Sequence, residues 1–350
     1  MSLSEHRTPK PEAFRDFVQG VESLQAYLRL NDEKKLGEAN KCLTESLTED
    51  PEFAPAQYYK AIALTHAREA QAAIHLLEGL SAKDEAYKPE ILYNLAFAYA
   101  KTYEYDRFNK ALDLLASAYE LSKRESRSDL MLLIKAMEAW VLGAFAGRAY
   151  DHPEDFEERK RTFLPRAAET AESILKDGRL RKLPMDTRVV VEVEASNAAG
   201  IAYMRMGQYS SLFSKGPGGF WHLAENNYQT AIAKHPRDVR VLDNISTFNL
   251  IRGCYTFKAH SDGEGKEFFD LARAAAQTAI SYNSHDRFRH YNLSQSLAML
   301  GDWDAASNAA EVVLTEPGAV KDVQVEKLKS AIAAKDKDYI VGLYFPLPPK

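Results

Sequence analysis

A four-then-three spacing of mostly small residues recurs along this sequence and leaves few folds open to it. From Ser210 to Pro236, Ala224 is followed by Tyr228 four residues on, by Ala231 three later and by Pro236 five later. The same steps run through Ala39, Leu43, Ser46 and Pro51. Without the proline they return at Ala111, Leu115 and Ala118 and at Ala272, Ala276 and Ala279; Ala306, Ala310 and Val313 repeat them, with Pro317 one residue early. Steps of three and four put such residues on one face of an α-helix. A matching set marks the helix before: Gly200, Tyr203 and Gly207; Ser246 and Gly253; Ser294, Leu297 and Gly301; Ala96 and Tyr99. Small residues let two helices approach closely, the bulky ones fill the gap between pairs, and proline stops the second helix. The pattern predicts a tandem array of helix pairs.

Period-two alternation is nearly absent. "RVVVEVEAS" (Arg188 to Ser196) is the one strand-like run, and its helical sequel "NAAGIAYMRMG" extends a helix back over it. Breaks and caps at "EDPEFAP", "SAKDEAYKPE", "SKRESRSD", "YDHPED", "DGRLRKLPMD", "KHPRD" and "YNSHD" divide the chain into about fifteen helices.

This combination resembles the tetratricopeptide repeat, and "GDWDAASNAAEVVLTEP" (Gly301 to Pro317) is close to that family's second-helix consensus. The resemblance runs from about Phe14 to Pro317 and is weakest over residues 126–186. It implies an all-α, right-handed superhelical solenoid of helix-turn-helix repeats, with first helices lining a concave groove and a solvating helix at the end. The segments expected are a flexible N-terminus (1–12), N-terminal repeats (13–125), a divergent long hairpin and linker (126–186) and C-terminal repeats (187–318). A capping helix (319–338) and an apolar, proline-rich tail (339–350) follow.

In an unmodified repeat the small residue of the first helix precedes the alanine of the second by twelve, as from Ser294 to Ala306. From Gly200 to Ala224 the separation is twenty-four, and from Ser246 to Ala272 it is twenty-six. Two successive hairpins are therefore elongated, by about seven residues per arm if both lengthen together, with tips near "SKGPGG" and "HSDGEGK". Helix "SDLMLLIKAMEAWVLGAFAGRAY" and its partner are long as well, Pro165 kinking or restarting the second. A phosphate-binding loop is the rival reading of the first tip. It requires GxxxxGK[ST] between a strand and a helix, whereas Lys215 precedes its glycines and "GEGKE" lacks both spacing and hydroxyl.

Peptide-binding grooves of this family use rows of side-chain amides against a ligand's backbone. The resemblance places Asn94, Asn244 and Asn292 on the concave face, with Asn197 one residue further back and Tyr58, Tyr93, Asp243 and Tyr291 in neighbouring slots. Asparagine there serves either to grip a ligand or to hydrogen-bond the adjacent helix. "ILYNLAFAYAK" looks like the middle element of a chaperone-tail clamp, but Tyr58 and Ile62 stand where its basic and amide pair belongs. A secondary interface is read at the hairpin tips and tail: Lys215, Phe220, Trp221, Lys266, Tyr344 and Phe345. The tail is expected to pack on its own last repeats, with docking into a partner or a second copy as the alternative.

The net charge of −5 argues against nucleic acid, leaving Arg159, Lys160, Arg161, Arg166, Arg179, Arg181, Lys182 and Arg188 as the densest basic cluster, just after four acidic residues. Two distant cysteines form no disulfide framework or metal knuckle, and no cofactor, metal or catalytic motif is present. The polar start and the lack of a long apolar run point to the cytoplasm. The chain therefore reads as a non-catalytic adaptor that holds a peptide or partner segment in its groove. The alternative is an obligate regulatory or assembly subunit using the long hairpins and the tail.

Overall fold

The structure, a computed structural model, describes residues 10–83, 88–146, 156–209, 217–260, 265–284, 286–315, 320 and 322–344. Two compact units divide the chain, Met1–His235 and Pro236–Lys350. The regular structure of the described residues is sixteen α-helices and a short 3-10 turn, Leu180–Lys182. In the first unit these are α1 (Pro11–Leu30), α2 (Glu33–Glu49), α3 (Ala54–His66), α4 (Ala70–Lys83), α5 (Lys88–Lys101), α6 (Tyr105–Arg124), α7 (Ser128–Ala146), α8 (Phe156–Lys176), α9 (Met185–Gln208) and α10 (Pro217–Lys234). The second unit holds α11 (Val239–His260), α12 (Lys266–Tyr282), α13 (Arg287–Leu300), α14 (Trp303–Thr315), α15 (Asp322–Ala333) and α16 (Lys337–Gly342). The strand-like run at Arg188 lies inside α9.

Helix ends follow local chemistry. Asp238 and Asp286, in the breaks "KHPRD" and "YNSHD", accept hydrogen bonds from the backbone N–H of Arg240 (3.0 Å) and Phe288 (2.8 Å). Each satisfies a donor that a helix start leaves unpaired.

Within each unit, neighbouring helices pack as hairpins, and odd-numbered helices also touch one another, as α1 with α3 and α11 with α13. The predicted register is visible in single bonds. Ser246 donates its hydroxyl to the Ala272 carbonyl at 2.9 Å, and Ser294 donates to the Ala306 carbonyl at 2.8 Å. At the corresponding point of the first unit, Gly200 has no side chain because the Tyr228 ring fills that space: a Cβ there would lie 2.5 Å from the ring.

The elongated hairpins are present, but their arms lengthen unequally. α11 has 22 residues against 14 in α13, whereas α12 has 17 against 13 in α14. Lys215 falls outside the described residues. The second turn closes at Gly265, whose φ is +101° and whose Cβ would meet the Gly253 carbonyl at 2.8 Å, so glycine serves the turn itself.

The stretch that resembles the repeat least departs from it structurally. α7 packs closely on both α8 and α9, and Ala139, Ala171, Ala198 and Ala199 meet where the three helices converge. Pro165 sits inside α8 without ending it. At the N-terminus, α1 begins at Pro11, inside the segment read as flexible. The expected capping helix is split: α15 ends at Ala333, and α16 starts separately after Asp336, whose carboxylate accepts from the Tyr339 N–H.

Adding a methyl group at the Tyr228 contact should be costly. Gly200→Ala is expected to destabilise the chain by roughly 1–3 kcal/mol through overpacking. Gly79→Ala, exposed inside α4 with nothing near its Cβ, should stabilise by roughly 0.5–1 kcal/mol. Urea denaturation of both variants checks the sign of each.

Candidate functional site

The asparagines named from the sequence are used largely within the protein. On α5, Asn94 donates to the Tyr58 hydroxyl at 2.7 Å and to the Glu90 carbonyl at 3.0 Å, which ties α5 to α3. Burial, with Glu90 close by, pushes the Tyr58 hydroxyl upward, so it remains neutral. Glu90 in turn pairs with Arg127 at 2.7 Å. Tyr93 is half-buried beside this group. In the second unit, Asn292 donates to the Thr247 hydroxyl at 3.1 Å, linking α13 to α11. Asp243 is buried against Arg289, whose Nε lies 3.2 Å from both carboxylate oxygens and whose guanidinium also donates to the Asn283 carbonyl at 2.8 Å. Asn197 is buried, Asn244 half-buried and Tyr291 half-buried. The structure thus pairs Asn94 with Tyr58, and ties Asn292 and Asp243 to Thr247 and Arg289, across neighbouring first helices.

A row of rings that the sequence reading did not single out crosses the first helices of unit one. Tyr27 of α1 meets His66 of α3 at a centroid distance of 5.5 Å, His66 meets Phe97 of α5 at 5.7 Å, and Phe97 meets Trp140 of α7 at 6.1 Å. Tyr27 is buried and the other three are half-buried. The Lys101 ammonium lies over both Phe97 (5.2 Å) and Trp140 (5.3 Å). The row was not legible because its members occupy different positions within their helices and meet only when the helices stack.

The expected secondary interface changes character. Phe220 and Trp221 are 4% and 9% exposed; Phe220 packs with Ala146 of α7, Leu164 of α8 and Met206 of α9, and the Trp221 ring lies where a Cβ on Gly207 would sit. Lys266 is exposed at the start of α12. Tyr344 packs on its own unit and donates to Gln295 on α13, while Phe345 lies outside the described residues. The basic cluster is also engaged. Arg159 lies over the Phe145 ring, Lys160 lies over Tyr209 and pairs with Glu157, and Arg179 pairs with Asp177. Among the described residues no group of histidine, cysteine and carboxylate side chains could hold a metal ion, and no helix is long and apolar enough to cross a membrane.

Glu138, buried on α7, links this cluster to the row of first helices. Burial pushes its carboxyl up, but hydrogen bonds and charge from Lys135 and Arg166 outweigh that and hold it below its ordinary value of 4.5. A carboxyl depressed in the native state contributes stability that is complete above its unfolded pKa and is lost as pH falls through the native one. Glu138→Gln should therefore lower stability at neutral pH and flatten the acid limb of a stability-against-pH curve. Equal slopes for both proteins would contradict this. Tyr58→Phe and Asn94→Ala should each cost about 1 kcal/mol. Their double variant should cost less than the sum, as denaturation of all three would reveal.

No protein-family model and no curated protein matches this sequence. Solved structures similar to it include the apo form of the quorum sensor NprR from B. thuringiensis, 13% identical, covering 95% of this chain and 87% of that one, with a TM-score of 0.49. A tetratricopeptide repeat protein from Parabacteroides merdae is 12% identical over 91% of this chain and 99% of that one, TM-score 0.45. The TPR2AB domain of yeast Sti1 in complex with pHSP90 is 13% identical over 94% and 98%, TM-score 0.28. Such distant likenesses add nothing to what the hairpins establish by themselves. On its small-residue register, its serine-to-carbonyl bonds across hairpins and its tandem helix pairs, the described residues have an all-α, tetratricopeptide-like fold of helix hairpins.

Proposed function

We propose that this protein is a non-catalytic interaction scaffold and that the first-helix face of unit one receives an extended segment of a partner protein. The observation that carries this reading is the row Tyr27, His66, Phe97 and Trp140, one ring from each of four successive first helices, with Lys101 across its last two members. Aromatic side chains offer large contact area at low entropic cost, and a half-buried ring has surface still to cover. Lys101 lies against rings rather than against a carboxylate of the described residues, so its charge remains for an acceptor on the ligand.

The asparagines enter in a second role. By bonding α3 to α5, Asn94 and Tyr58 set the spacing of the helices that carry the rings, and Asn94 keeps its carbonyl oxygen for contact with a bound segment. Binding by such a surface needs no cofactor. Phe220 and Trp221, which the assembly-subunit alternative would use as contacts, are buried.

Affinity capture from native lysate by the intact chain, compared with capture by Phe97→Ala/Trp140→Ala, tests the reading. Partners retained by the intact protein should be lost or weakened at least about tenfold by the double variant, with its helical circular dichroism unchanged. Undiminished capture by a folded double variant would exclude the ring row as the binding surface.

A further inference from the structure

Helix α1 carries two stripes of largely apolar residues side by side. Ala13, Phe17, Gly20, Leu24 and Tyr27 are buried against the rest of unit one. Each residue of a helix turns about 100° onward, so the next set, Phe14, Val18, Val21, Gln25 and Leu28, runs along the shoulder of the first. Val18 and Leu28 are 37% and 45% exposed, Gln25 is exposed, and Phe14 and Val21 are half-buried. Later first helices have a helix packed on either side, as α3 between α2 and α4 and α5 between α4 and α6. α1 is the first described helix of the array and packs chiefly on α2.

The steps four, three, four, three are those of a coiled-coil seam, with Phe14, Val21 and Leu28 at d and Val18 and Gln25 at a. Knobs spaced in this way fit holes only on a helix of the same repeat, so the seam calls for a helix. Beside it, at e, stand Arg15 and Glu22. The Arg15 side chain is 73% exposed and lies 3.3 Å from its neighbour Asp16, and Glu22 has no ion-pair partner among the described residues.

In an antiparallel pair of such helices a faces d, and e faces e. Setting Val18 against Val21 of a second copy brings Arg15 opposite that copy's Glu22 and, through the two-fold axis, Glu22 opposite its Arg15. Moving one layer in either direction opposes Arg15 to Arg15 or Glu22 to Glu22. A parallel pair would turn these charges toward Phe17 and Leu24, which the unit's own core already holds. The charges beside the seam therefore complement a second copy of the same seam in one register.

We propose that α1 is a self-association surface through which two copies of this chain join antiparallel, Val18 of each against Val21 of the other and Arg15 of each paired with Glu22 of the other. The stripe shares no residue with the row Tyr27, His66, Phe97 and Trp140, so either reading can fail without the other.

Sedimentation equilibrium of the full-length chain over roughly 1–300 μM should show monomer and dimer in exchange. Val18→Glu/Leu28→Glu, at two exposed positions, should abolish the dimer with helical circular dichroism unchanged. Arg15→Glu or Glu22→Arg alone sets like charges at two contacts at once and should weaken dimerisation at least about fivefold. Arg15→Glu/Glu22→Arg together should restore it. These positions lie about 10 Å apart along one helix, so the recovery would arise between chains and not within one. A monomer over the whole range would overturn the proposal and leave the stripe to another occupant, a helix of a different protein or a lipid surface. Dimerisation untouched by the double glutamate variant would place the contact elsewhere and overturn it too. So would failure of the exchanged charges to recover affinity, a measurement on exposed residues that stands even if the glutamate variant fails to fold.

Discussion

Everything in this protein depends on how closely two helices can be brought together within a hairpin. Where Ser246 and Ser294 face their partner helices, the hydroxyl reaches the opposite backbone carbonyl; where Gly200 faces Tyr228, a whole ring takes the side chain's place. Only small residues permit either arrangement, because backbone and ring already occupy the space a larger Cβ substituent would need. Each such contact sets the spacing of one hairpin, and hairpin upon hairpin this places a side chain of one first helix against a side chain of the next.

That spacing explains why polar residues on the first helices are so thoroughly engaged. Asn94 reaches Tyr58, Asn292 reaches Thr247, and Arg289 reaches Asp243, each bond joining neighbouring first helices. Stacking helices buries polar groups on both sides of the joint, and a buried group without a partner is unfavourable, so the joints are paired. Gln295 is one of the exceptions, wholly buried with its Nε2 lacking a partner among the described residues. It lies beneath Tyr344, just beyond α16.

Much of the architecture was legible because repetition multiplies weak signals. One four-then-three spacing such as Ala224, Tyr228 and Ala231 says little, but five at matching places leave almost no alternative to helix pairs. The excess in two separations located both long hairpins, although it could not show that the first arm of the second takes more of the extra length. Residues 126–186 read poorly because α7, α8 and α9 converge through alanines, and alanine is too common in any helix to announce a three-way contact. At the candidate site the residue types were apparent and their engagement was not. Asn94 lies on a first helix as expected, yet its donors are taken by Tyr58 and Glu90.

The sequence by itself determined that this chain makes antiparallel helix pairs in tandem, where most of the breaks between them fall, and which small residues sit at their crossings. Those properties rest on short-range spacing, which the 3.6-residue turn converts directly into a face. The tertiary structure alone decided which rings form a row, which basic residues lie over aromatic faces, and that α16 packs against α11 and α13. Tyr27 and Trp140 are more than a hundred residues apart, and they join one row only because each intervening hairpin adds a fixed step between helices. Such contacts leave no periodicity within any one segment; they exist in the distances between segments, which packing sets.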